Sequence, residues 1–295
     1  MKKYASRIYL CIIFAILYIP ILTLILFSFN ASESTANFTG FSLDWYAKLF
    51  QDEEAFGALR NTLILAVSSA LISTIIGTAA AEGIYKMRTK WFKKLVISVT
   101  NVPMMNPDIV TGFSFMIFFA AVVAVFKVSD YDDIGFFAML IAHVTFCLPY
   151  VILNVLPRIN ELGDSLSEAA LDLGCTPLQT FFKVELPEIM PGVMSGAIMA
   201  FTMSLDDFVI SYFTKGSSFQ TLPLLIYSMT KKRVTPKIYA LATIIFIVIL
   251  IMLLVSNLMG SRDERLKAKI AKHERKLRRQ QNAKMRSARK GGEAK

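Results

Sequence analysis

Apolar and polar residues do not alternate along this chain; they fall into long blocks. Residues 8–29 hold no charged side chain. At about 1.5 Å of rise per helical residue, such a block spans a hydrocarbon layer roughly 30 Å thick. Comparable blocks follow at 62–84, 95–126, 134–156, 191–213 and 238–260. Their only charges are Glu82, at the end of the second, and three aspartates: Asp108 in the third, Asp206 and Asp207 in the fifth. Hydrocarbon offers no partner to a free N–H or C=O, so blocks this long are predicted as helices. A membrane barrel would show alternating segments of about ten residues instead. The expected fold class is therefore all-α, a polytopic membrane protein with six transmembrane helices.

Charge refines this picture by its placement. The net charge is +10 over 295 residues. Lys2, Lys3 and Arg7 precede the first block as in a signal peptide. That block is longer than a signal core and lacks an A-x-A cleavage site, so a retained first span is expected. Lys86, Arg88, Lys90, Lys93 and Lys94 follow the second block, and fourteen Lys and Arg lie beyond Gly260. The loop 30–61 has only Lys48 and Arg60, and the loop 129–133 carries three aspartates. The positive-inside rule then puts both termini in the cytoplasm, although Lys231, Lys232, Arg233 and Lys237 fall on the other side. The basic tail 261–295 reads as a solvated segment near anionic lipid. It lacks the interleaved aromatics of a nucleic-acid-binding segment, so no nucleic-acid partner is expected. Cys11, Cys147 and Cys175 form neither a disulfide framework nor a metal motif.

Three interruptions carry more specific information. Pro103 and Pro107, beside Asn106 and Asp108, predict a kinked or two-piece third span, because proline lacks a donor and clashes with the preceding turn. In the loop 30–61, Trp45, Tyr46, Leu49 and Phe50 stand at helical spacing, as in an interfacial aromatic anchor or the lip of an entrance. The loop 157–190 reads as two short helices. Ser165 and Glu168 have capping-box spacing, Gly174 suits a left-handed helix terminus, and Thr176-Pro177-Leu178-Gln179 starts a second helix that Pro187 is expected to stop. Leu171, Leu178, Phe181 and Phe182 are the apolar residues that this hairpin would offer to a protein partner.

Glu168-Ala169-Ala170, then Gly174, then Val184-Glu185-Leu186-Pro187 resemble the EAA signature of ABC-importer permeases. Every spacing of that pattern fits, and Val184 in place of isoleucine is the one departure. The resemblance implies a type I importer permease fold over 1–260, a coupling loop at 157–190 and the basic tail as an addition. It assigns Glu168, Ala169, Ala170, Gly174, Val184, Leu186 and Pro187 to coupling with an ATPase. Three further stretches resemble the polyamine-permease subgroup: 200–211, 221–229 and 240–243. Membership would imply a bacterial inner-membrane location, a second permease subunit, two ATPase subunits using ATP and Mg, and an extracytoplasmic polyamine-binding protein. It implies no cofactor or metal on this chain.

The chemistry of the spans agrees with a cationic substrate. Ionised residues in a span are costly and face a cavity or a partner. Here all three aspartates are acidic and no span core carries Lys or Arg. The expected path residues are Asp108, Asp206, Asp207 and Trp45. Adjacent helical positions diverge by about 100°, so Asp206 and Asp207 are not expected to face one lumen equally. The alternative is an importer for another small cation. Catalysis by this chain is not expected: it lacks a G-x-x-x-x-G-K-[ST] loop, and its two histidines, His143 and His273, form no H-E-x-x-H motif. His143 reads as a hydrogen-bonded packing residue, and Glu82 as a partner for Lys86 one turn on.

The topology predicts that Cys175 reacts with a membrane-impermeant thiol reagent only in inside-out vesicles. Labelling of that residue in intact cells would overturn the orientation.

Overall fold

The computed structural model describes residues 2–32, 37–126, 135–216, 219–232, 236–251 and 254. The acidic loop 129–133, Arg233, the end of the last apolar block and the basic tail 261–295 lie outside the described residues. Among the described residues, those up to Ile249 form one compact unit.

Among the described residues, five helices are long and apolar enough to cross a bilayer. The first is α1 (Lys2–Ser28), which has no buried residue over its most apolar stretch and buries Ser28 at its end. Apolar all round, it suits lipid or another membrane helix. A short α2 (Asp44–Phe50) follows, then α3 (Glu53–Lys86). The Asp52 side chain accepts from the N–H groups of Glu54 and Ala55 and so caps α3. It also pairs with Lys237. Burial pushes the Asp52 carboxyl up, but the bonds from Lys237, Ala55 and Glu54 outweigh it and hold the group below its ordinary value.

The third apolar block is two helices, α4 (Lys90–Met105) and α5 (Asp108–Phe126). The break falls at Asn106-Pro107 alone; Pro103 lies inside α4. Next come α6 (Gly135–Leu162), α7 (Ser165–Asp172) and α8 (Pro177–Thr180). A π turn (Phe181–Glu185) joins α8 to α9 (Leu186–Asp206). Two expectations are corrected here. Pro187 does not stop a helix; it sits in the first turn of α9, and the helical run continues from Pro177 to Asp206. The preceding π turn makes this possible, with the Leu186 N–H bonding five residues back to Phe181 O just before the residue that has no N–H. The fifth span, expected to be continuous over 191–213, instead ends at Asp206. After Asp207-Phe208 the chain restarts as α10 (Val209–Thr214). The last described elements are α11 (Leu222–Lys232) and the apolar α12 (Pro236–Ile251), which occupies the start of the predicted sixth block.

The core is the packing of α3, α6 and α9. Small residues let these helices approach closely, as membrane helix packing requires. A Cβ on Gly77 of α3 would lie 2.7 Å from Val151 Cγ1 of α6, and one on Gly196 of α9 would lie 3.2 Å from the Val151 Cα. Cys147 Sγ of α6 donates to Ala200 O of α9 at 3.3 Å. A second apolar cluster joins α2, α3, α11 and α12 through Leu49, Ala58, Leu225 and Leu241. There Thr62 Oγ1 accepts from the Leu222 N–H at 2.7 Å, fixing α11 to α3.

Gly77→Val is expected to lower the melting temperature and the yield of folded protein in detergent, because Val151 occupies the space. Gly83→Ala on the same helix is the control. Nothing lies within 4 Å of its Cβ, and Ala is favoured over Gly in a helix by about 0.5–1 kcal/mol. Equal melting of the two variants would count against the tight α3–α6 seam.

Candidate functional site

Two regions concentrate chemistry. The first is the helical hairpin 165–187. α7 starts at Ser165 with Asp164 as the preceding residue and no side-chain cap, so the expected Ser165–Glu168 capping box does not form. The Ser167 hydroxyl instead donates to Glu185 Oε1 at 2.7 Å. α7 ends in a Schellman motif: Cys175 N–H bonds Ala170 O at 3.1 Å, Gly174 N–H bonds Leu171 O at 2.9 Å, and Gly174 has φ +87°. The second helix begins with the expected reciprocal capping box between Thr176 and Gln179. The turn between the two helices is thus fixed at both ends.

This hairpin presents apolar side chains outward. Leu173 is 87% exposed, Leu178 71% and Phe182 60%. Exposed apolar patches of this kind mark interaction surfaces. Glu168, Ala169 and Gly174 are exposed too, while Ala170 is buried. Val184 and Leu186 are half-buried around the π turn, and Pro187 is exposed. Leu173, the most exposed of the set, was not among the residues expected from the sequence; its place as last residue before the left-handed glycine was the available signal.

Sequence reasoning also missed what ties the hairpin to the core. Glu185 is buried, with Lys86 Nζ 3.6 Å from its Oε2, and Lys86 in turn meets Glu82 at 2.5 Å. Tyr85 donates to Asp164 Oδ1 at 2.7 Å. The last turn of α3 therefore grips the hairpin at two points. The i,i+4 spacing of Glu82 and Lys86 was legible; the participation of Glu185, a hundred residues away, was not.

The second region lies where helices break. Asp108 is exposed in the first turn of α5, where the helix dipole favours a carboxylate. A groove of about 470 Å³ runs beside this break, lined by Asn106, Thr111, Ser114, Phe115 and Thr145 among others. Asp206, exposed at the end of α9, borders a different and mostly apolar groove of about 390 Å³ with Leu59, Leu63, Pro223 and Ile226. Asp207 turns the other way. Its side chain is 7% exposed, and it accepts from the N–H groups of Ile210 and Ser211 at 3.3 and 2.8 Å, capping α10. Its Oδ2 lies 3.4 Å from His143 Nε2. The two adjacent aspartates thus have separate surroundings, because α9 ends at Asp206 and Asp207 is already extended.

Trp45 lies on α2. Its ring is 7% exposed, its indole N–H donates to Asn30 O at 2.8 Å, and Lys48 Nζ lies 4.4 Å from its centroid. With its indole N–H taken and its ring turned into the protein, it holds the loop after α1 and offers no open face to a path. Of the phenylalanines of α5, Phe119 is buried, Phe113 and Phe118 are exposed, and Phe113 meets Phe213 of α10 edge-on at 6.1 Å.

Residues 73–268 match the family described as binding-protein-dependent transport system inner membrane component. The chain is 39% identical over 248 residues to the spermidine/putrescine transport system permease protein PotC of Escherichia coli (strain K12), covering 84% of this chain and 90% of the relative. Identity is 38% over 262 residues to the PotC permease of Haemophilus influenzae, covering 89% and 98%. It is 39% over 233 residues to the putrescine transport system permease protein PotI of E. coli K12, covering 79% and 82%. Among solved structures, a bacterial ABC transporter involved in import of the polysaccharide alginate aligns with a TM-score of 0.67 at 21% identity, covering 88% of this chain and 95% of that one. A chain of an amino acid ABC transporter aligns at 0.53 and 19%, covering 75% and 99%. At these identities the structures support the fold.

Gly174→Val should leave membrane insertion intact and impair whatever the hairpin transmits. A side chain at φ +87° is strained by roughly 1–2 kcal/mol and re-aims α8. The check is nucleotide hydrolysis and transport by the purified complex; a variant that matches the parent in both would remove the fixed turn from the mechanism.

Proposed function

Because this chain belongs to the binding-protein-dependent transport system inner membrane component family, and is thereby a transport component of an ABC importer rather than an enzyme, we propose that it conducts polyamines of the spermidine and putrescine class across the bacterial inner membrane. The single observation that carries the substrate class is the near full-length identity to the permeases named for spermidine and putrescine. The chemistry of the helix breaks supports it. A polyamine is a flexible aliphatic polycation, and Asp108 and Asp206 each set an exposed carboxylate beside a groove with apolar walls suited to methylenes. In this reading Asp108 and Asp206 belong to the path, Asp207 supports it from within the protein, and Trp45 anchors the outer loop.

The hairpin 165–187 is the contact with an ATPase subunit. Leu173, Leu178 and Phe182 supply the apolar anchors, and Glu168, Ala169, Ala170, Gly174, Val184, Leu186 and Pro187 form the frame that holds them. A second permease subunit completes the pore, two ATPase subunits hydrolyse ATP with Mg, and an extracytoplasmic binding protein delivers the substrate. Both termini then face the cytoplasm, with the hairpin on the same side. The continuous helical run from Pro177 to Asp206 gives this arrangement its lever, since movement of α8 is carried to the Asp206 end of the span. Alternating access follows when ATPase closure displaces the hairpin.

Uptake of labelled spermidine by the reconstituted complex, challenged with excess putrescine, spermidine, other small cations and amino acids, tests the substrate. Competition by the polyamines alone is expected; preferential competition by another cation would move the substrate class, and by an anion would end the reading. Asp108→Asn or Asp206→Asn keeps shape and removes charge. Each should weaken transport by about 1–3 kcal/mol, the range for a charged hydrogen bond, or roughly one to two orders of magnitude. Normal transport by both assembled variants would remove these carboxylates from the path.

A further inference from the structure

A buried polar cluster, built around His143 and Asp207, occupies the break between α9 and α10. His143, in the first third of α6, is 1% exposed. Its Nδ1 lies 2.7 Å from Ser204 Oγ in the last turns of α9. Its Nε2 lies 3.0 Å from Ser211 Oγ of α10 and 3.4 Å from Asp207 Oδ2 in the break itself. Ser69 Oγ of α3 donates to Ser204 Oγ at 2.8 Å. Ser69, Ser204 and Ser211 are all buried. One imidazole thus bonds both halves of the interrupted span, and a serine relays that bond to the third core helix.

The chemistry of the break explains why such a group is needed. Where α9 stops and α10 restarts, backbone donors of α10 have no partner one turn back. Asp207 supplies one by accepting from Ile210 and Ser211. A carboxylate doing so inside a membrane protein needs a further polar neighbour, since burying an unpaired charge is expensive. His143 is that neighbour. A carboxylate on the Nε2 side calls for a proton on Nε2, which leaves Nδ1 to accept from the Ser204 hydroxyl. Both ring nitrogens are then used, and the ring cannot turn without losing a bond on each half of the span.

From this geometry we infer that His143 and Asp207 act as one positioning unit, which holds the break in the fifth span and thereby aims Asp206 outward, and that Asp207 is not a substrate ligand. The inference rests on the path reading for Asp206 only for its consequence; the unit is defined by contacts within the chain. Asp206 and Asp207 are then two carboxylates with two tasks, divided by which side of the break each faces.

The test measures uptake by the full reconstituted complex, per assembled complex, for Asp206→Asn, Asp207→Asn, His143→Leu, His143→Gln and the double variant His143→Leu/Asp207→Asn. Substrates are a dicationic and a tricationic polyamine. If the two residues form one unit, Asp207→Asn and His143→Leu lower the maximal rate by a similar factor for both substrates. The double variant is then no slower than the slower single. His143→Gln, which offers both a donor and an acceptor, recovers at least half of the lost rate. Asp206→Asn, by contrast, shows a loss that depends on substrate charge. The inference is overturned if Asp207→Asn discriminates between the substrates as Asp206→Asn does, or if the effects of His143→Leu and Asp207→Asn multiply. Where His143→Leu does not assemble, Ser211→Ala replaces it, removing only the hydroxyl at Nε2, with the same expectation of no further loss in combination with Asp207→Asn. Normal transport by Asp206→Asn with joint loss in the other two supports the unit while removing Asp206 from the path. Loss in Asp206→Asn with normal transport in His143→Leu overturns the unit and leaves the path reading standing.

Discussion

A helix that stops inside a bilayer exposes backbone donors and acceptors that lipid cannot satisfy, and this constraint governs the rest of the molecule. The chain breaks its apolar segments at two places within the described residues, Asn106-Pro107 and Asp207-Phe208. Each is flanked by polar side chains drawn from a very small supply. At the second break, the backbone is satisfied by Asp207, Asp207 is accompanied by His143, and His143 is bonded to serines of α9 and α10. Remove that chain of partners and α10 has no reason to start where it does. The groove bordered by Asp206 is otherwise walled mainly by α3, α11 and α12.

The packing of α3, α6 and α9 provides the frame within which such a break is tolerable. These three helices meet through glycine, alanine and serine, so their backbones approach closely and van der Waals contact replaces the hydrophobic driving force that lipid does not supply. The same closeness brings Ser69, His143 and Ser204 within hydrogen-bonding reach. Tight packing and the polar cluster are therefore one feature seen from two sides.

At the other end of the same helices a short helical hairpin is held in place. The hairpin 165–187 is made stiff by local means, a Schellman turn at Gly174 and a capping box at Thr176. It is tied to α3 by Tyr85 and Lys86. The π turn at Phe181–Glu185 lets the helix pass Pro187 and buries Glu185 beside Ser167 and Lys86. A proline that would end a helix in isolation here begins the membrane-crossing part of a continuous one.

The sequence by itself determined the helical class, the position of the apolar blocks, the break beside Asp108, and the hairpin with its left-handed glycine and Thr176 cap. These features depend on residues near one another in the chain, where periodicity, proline chemistry and capping act directly. It also carried the motif by which the family is recognised. It did not determine that the fifth span breaks at Asp207, that Ser167 bonds Glu185 in place of a cap at Ser165, that Trp45 is buried, or that His143 of α6 bonds both α9 and α10. Each of these depends on residues roughly fifteen to one hundred and forty positions apart, or on the competition between a local hydrogen bond and a distant one. Only tertiary packing, such as that of α3, α6 and α9 around Ser69, His143 and Ser204, brings those groups within about 3 Å of one another, and hydrogen bonds are decided at that distance.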